Sequence, residues 1–172
     1  MKPATLFAPL LGLLVISGVI LSKEWVLHDG QELYLKLAPK DPRSLIQGDY
    51  MRLDYELTRK VPLDDLDDSG LLVLTLDAQG VGSFRRLDNE QALAANELKL
   101  AYRNYHGVKL GAESYLFQEG LAECYQQAQY ARLKVSSSGS SLLIGLLDDQ
   151  LKPVGNQLEH SRWFTTMPNN CD

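Results

Sequence analysis

The chain has 172 residues, of which 17 are basic and 22 acidic, giving a formal net charge of −5 at pH 7. Lys2 is the only charged side chain before Lys23, so the downstream part is more acidic still. This balance argues against nucleic acid or an anionic lipid surface as a main partner, because both reward clustered Lys and Arg.

The first predicted element covers residues 4–22, ATLFAPLLGLLVISGVILS, nineteen residues without a formal charge. At about 1.5 Å per residue it approaches the ~30 Å of a hydrocarbon core. Only Thr5, Ser17 and Ser22 are polar, so the run lacks the polar face of an ordinary surface helix. Trp25 follows where an interfacial aromatic would sit. An uncleaved transmembrane anchor is expected. The competing readings are a buried helix and a cleaved signal peptide, which needs an apolar core of about 7–15 residues and a small-x-small exit. The anchor places residues 4–22 in a lipid bilayer, the short amino end in the cytoplasm, and the rest in the periplasm or another extracytoplasmic space.

Gly30 is a natural stop for a helix continuing through residues 23–29. Residues 32–37 alternate leucine with Glu, Tyr and Lys, the pattern of a half-buried strand. Residues 38–48 read as a loop. Residues 50–57 alternate again, with Met51, Leu53, Tyr55 and Leu57 inward and Arg52, Asp54 and Glu56 outward. An acidic loop over 62–70 leads to strands at 71–76 and 81–87, joined through Asp77-Ala78-Gln79-Gly80. Asp88 is placed as the N-cap of a short helix reaching Ala95, with Gln91 reaching back. Further strands are predicted at 98–103, 108–110 and 114–118, two helical turns at 121–127, and a strand pair at 131–135 and 142–147 around a serine-rich turn. Many short strands with little helix imply a mainly β fold. The expected form is an antiparallel β-sandwich or open barrel with one or two short helices, preceded by one N-terminal transmembrane helix. The expected divisions are an anchor at 1–29, a β domain at 30–155 and a tail at 156–172.

Cys124 and Cys171 are the only cysteines. In an oxidising compartment they could form one disulfide; two free thiols remain the alternative. No CxxC motif, and no His spacing among His28, His106 and His160, suggests a metal, and no cofactor is expected. Residues 65–70 match the first half of a calcium loop, but its twelfth position is Leu76 rather than a bidentate Glu.

Two segments go beyond periodicity. The first is Asp41-Pro42-Arg43 followed by Gly48-Asp49-Tyr50-Met51-Arg52-Leu53-Asp54-Tyr55, and the second is Gly111-Ala112-Glu113-Ser114-Tyr115-Leu116-Phe117-Gln118-Glu119-Gly120. Together they resemble the bacterial GDYXXLXY family, over roughly residues 1–155. The chain departs from the family pattern at Ala112, where a larger aliphatic is expected, and at Gln118, where proline is usual. The resemblance implies a membrane-anchored protein of the bacterial inner membrane, similar in setting to companions of multi-span membrane proteins. It carries no enzymatic activity with it.

Read physically, Gly48-Asp49 before a strand suits a tight turn. Tyr50 and Tyr55, an odd number apart, should lie on opposite faces, with the Tyr55 hydroxyl seeking a buried partner. Arg43 and Asp49 could brace the loop. Glu113 and Glu119 invite an acid/base reading, which needs the two carboxylates about 5–10 Å apart across a cleft. The motif residues Leu53, Gly111, Ser114, Tyr115 and Gly120 suit folding or a partner surface. The expected function is a non-enzymatic, periplasm-facing accessory or interaction module for a multi-span membrane protein. The alternative is a membrane-tethered hydrolase or envelope-ligand-binding domain using Glu113, Tyr115 and Glu119.

Overall fold

The computed structural model describes residues 4–38, 46–47, 50–62, 66–117 and 122–155. It opens with helix α1 (Ala4–Asp29). The helix stops at Gly30 because no side chain fits there: a Cβ would lie 2.3 Å from the Val26 carbonyl oxygen, which accepts the Gly30 N–H at 3.0 Å. Close approach, rather than a left-handed backbone, is what requires glycine at this stop.

Among the described residues no helix is long and apolar enough to cross a membrane. Side chains of α1 are described from Gly12 onward, Ser22 excepted. The expectations built on a spanning anchor at residues 4–22 are corrected accordingly. They are the transmembrane helix in the fold class, the lipid bilayer and a multi-span membrane protein as partners, the single-pass inner-membrane topology, and both anchored functions.

Among the described residues ten strands follow: β1 (Gln31–Lys36), β2 (Ile46–Gln47), β3 (Tyr50–Arg52), β4 (Ser69–Leu76), β5 (Gly82–Leu87), β6 (Glu97–Asn104), β7 (Val108–Lys109), β8 (Ser114–Leu116), β9 (Tyr130–Val135) and β10 (Ser141–Leu147). A short helix α2 (Ala122–Tyr125) precedes β9. The strands form three sheets among the described residues, ordered β1-β9-β10, β2-β3-β8 and β5-β4-β6-β7. Every pairing within them is antiparallel. The expected sandwich or open barrel is therefore corrected to a mainly β fold of three small sheets, with no closed barrel. Short strands explain the difference, since β2, β3, β7 and β8 have two or three residues each and cannot extend a continuous layer.

One core joins the three sheets. Leu33 and Leu35 of β1, Leu72 and Leu74 of β4, Leu100 of β6 and Leu133 of β9 are fully buried in it. Single links stitch the sheets at their margins: Tyr34 N–H donates to the Gly80 carbonyl, and Ala38 N–H, just past β1, to the Asp54 carbonyl, just past β3.

Two local expectations fail for identifiable reasons. The alternation over 50–57 buries Met51, Leu53, Tyr55 and Leu57 as read, but the strand ends at Arg52 and a 3₁₀ turn (Glu56–Arg59) carries Leu57. Residues 88–95 form no helix, because Asp88 turns its carboxylate to Lys99 Nζ at 2.6 Å and Glu90 takes a φ of 64°.

Candidate functional site

The antiparallel ladder between β3 and β8 brings the two sequence motifs together, pairing Tyr50 with Leu116, Met51 with Tyr115 and Arg52 with Ser114. Alternation then sorts the side chains by face. Met51 is buried and Tyr115 half-buried, whereas Tyr50 is 42% and Leu116 78% exposed. Tyr50 and Leu116 thus stand as cross-strand neighbours on the outer face, flanked by exposed Arg52 and Ser114.

Beneath that face the motifs are bonded through the core. The buried Tyr55 hydroxyl donates to the Ala112 carbonyl. Burial, reinforced by the Glu113 charge, pushes the Tyr55 phenol far above its ordinary value. Tyr115 packs on Tyr125 with ring centroids 5.3 Å apart, and Phe117 lies 5.0 Å from the same ring. Burial, with Tyr125 adding to it, also pushes the Tyr115 phenol well up.

Glu113 is bonded within its own loop. One of its carboxylate oxygens accepts the backbone N–H groups of Leu110, at 2.5 Å, and Gly111, at 3.2 Å, closing the turn in which Gly111 takes a φ of 79°. That oxygen is committed to the loop. Asp41, Pro42, Arg43, Gly48, Asp49, Glu119 and Gly120 lie outside the described residues, so the expected Arg43–Asp49 brace and the Glu113–Glu119 separation lie there too.

A family model described as GDYXXLXY protein matches residues 12–146. The chain belongs to the GDYXXLXY family. Its match begins later and ends earlier than the motif resemblance, and it includes both blocks that form the β3–β8 ladder. No curated protein and no solved structure matches the chain.

Cys124 is buried and disulfide-bonded; Cys171, the other cysteine of this GDYXXLXY protein, lies outside the described residues. Among the described residues no group of three His, Cys, Asp or Glu could hold a metal ion. His28 contacts Asp29 at 2.9 Å, and His106 meets the Tyr105 ring edge-on at 4.6 Å.

Two groups escape motif reading. Tyr125 has no sequence signal that marks it as the ring against which Tyr115 and Phe117 pack. Arg103 and Lys109 form a cross-strand pair, and a signal for them exists: they are symmetric about His106, beside Gly107 with its φ of 105°.

Proposed function

We propose that this GDYXXLXY protein is a non-catalytic recognition domain that binds a polypeptide partner at the outer face of the β2-β3-β8 sheet. The observation that carries the reading is the Tyr50–Leu116 pair, an aromatic and an aliphatic side chain held side by side in solvent by the two family motifs. Aromatic residues and arginine are the side chains that most often anchor protein interfaces, and Arg52 adjoins the pair. The non-catalytic part rests on Glu113, whose carboxylate braces its own loop rather than facing a second acid or a nucleophile.

The test is site-specific photo-crosslinking from position 116 in the full chain, with position 79 in the β4–β5 turn as the control. The expected outcome is one saturable crosslinked protein from position 116, lost when Tyr50→Ala is added. Equal labelling from both positions, or labelling indifferent to Tyr50→Ala, overturns the reading.

A further inference from the structure

A second feature lies outside the motif face. An open groove of about 900 Å³ runs between the β4-β6-β7 strands, the β9–β10 turn and the end of α1. It is lined by Lys23, Arg103 and Lys109, with Ser69, Ser138 and Ser140 between them. Among the described residues Glu113 is the one carboxylate on its wall, and that side chain already accepts the Leu110 and Gly111 N–H groups. Arg103 and Lys109 are close in sequence, on paired strands, whereas Lys23 is remote and joins them only through folding. Folding collects them in a protein whose net charge is −5.

The register sharpens the point. Across the sheet, Ser69 pairs with Arg103 and Arg103 with Lys109, so one cross-strand row reads hydroxyl, guanidinium, ammonium on a single face. Like charges directly opposite one another destabilise an antiparallel pair. Among the described residues none of Lys23, Arg103 and Lys109 makes an ion pair that would offset this repulsion. A bound anion would offset it. Arg103 offers a planar fork to two oxygens, Lys109 of β7 and Lys23 of α1 offer point charges, and the serines supply neutral donors. The groove is held open by backbone rather than by mobile side chains: Ala101 N–H donates to the Gly139 carbonyl at 2.9 Å, fixing the β9–β10 turn against β6.

We infer that this groove binds a phosphoryl-bearing anion through Arg103, Lys109 and Lys23, independently of the partner face at Tyr50 and Leu116. The occupant is a multiply charged species, because three cations from α1, β6 and β7 line a cavity far larger than a single oxyanion. A free phosphorylated compound and a phospholipid headgroup share this chemistry.

The experiment is calorimetric titration of the full chain in neutral detergent micelles, which cover the exposed apolar side chains of α1. One arm adds inorganic triphosphate and the other adds monomeric dihexanoyl-phosphatidylglycerol. Saturable binding is expected in at least one arm, identifying the source. It should weaken about tenfold in Arg103→Gln/Lys109→Gln and severalfold in Lys23→Gln, and fall with added salt. Without ligand, Lys109→Gln should melt no lower than the parent, because it removes a repulsion; this keeps loss of binding separate from loss of fold. No binding in either arm, or binding unchanged in both variants, overturns the inference. Neither result bears on crosslinking from position 116.

Discussion

Tyr55 ties the two family motifs together through one hydroxyl, and its chemistry yields a sign that can be measured. Its phenol is buried and donates to the Ala112 carbonyl. Replacing it with Phe leaves that carbonyl without its donor, at an expected cost of about 1–3 kcal/mol in urea unfolding near neutral pH. The pH dependence runs in one direction. Burial raises the folded-state phenol above its ordinary value of 10.0, and the Tyr115 phenol is raised likewise. Above pH 10 the unfolded chain releases these protons while the folded chain keeps them, so stability is full below that point and falls as pH rises. Tyr55→Phe should make the alkaline fall shallower, since one of the raised phenols is gone while Tyr34, Tyr102 and Tyr115 remain; an equally steep profile would sink this account. Glu113 offers a second residue-scale test. Glu113→Gln keeps an amide oxygen for the Leu110 and Gly111 N–H groups, whereas Glu113→Ala removes the acceptor. The alanine variant should lose about 1–3 kcal/mol and the glutamine variant distinctly less, measured by thermal or urea unfolding.

The β9–β10 hairpin shows how an element can be specified by one backbone position. Ser136 N–H donates to the Ser140 carbonyl and Gly139 N–H to the Ser136 carbonyl, while the Ser136 hydroxyl accepts from Ser140 N–H at 3.2 Å. Gly139 takes a φ of 86°, and a Cβ there would lie 2.7 Å from Leu71 Cδ2 and 3.2 Å from Ala101 N. Gly139→Ala therefore meets both a strained backbone and a crowded seat. The expected loss is about 1–3 kcal/mol of stability, together with faster hydrogen exchange at Ala101, whose N–H donates to Gly139. Faster exchange confined to other strands would contradict the docking role. Elements of this kind were legible in the chain to the extent that their signals are local. Alternation placed β1, β4, β5, β6, β9 and β10 close to their observed bounds, and it assigned the inward residues of 50–57 although the strand itself stops at Arg52. The helix expected over 88–95 was not legible, because Asp88 Oδ2 answers to Lys99, eleven residues away, while Asp88 Oδ1 accepts the N–H of Glu90, whose φ of 64° is not helical. The same limit hid the cationic groove: Lys23 reaches it only by tertiary packing of α1 beside the β9–β10 turn.

At the scale of the whole molecule, three small sheets share one core, so none has an independent reason to persist alone. Leu33 and Leu133 come from one sheet, Leu72 and Leu100 from another and Met51 from the third, yet all are buried in the same cluster. Cys124 and Tyr125 enter that cluster from the single turn of α2, a helix too short to hold its own shape. What keeps this turn in place is packing on Tyr115 and Phe117, together with the Cys124 disulfide. A covalent link acts mainly by restricting the unfolded chain, at about 2–4 kcal/mol for a typical bridge. For a domain of this size that corresponds to roughly 5–15 °C in melting temperature. Cys124→Ser, or the parent in reductant, should therefore melt lower by that margin while keeping a single transition, followed by both circular dichroism and Trp fluorescence. If the two probes separate only after reduction, α2 and β8 form a unit that the bridge alone binds to the core. If reduction changes nothing, the aromatic packing around Tyr125 is sufficient by itself and the bridge contributes no stability.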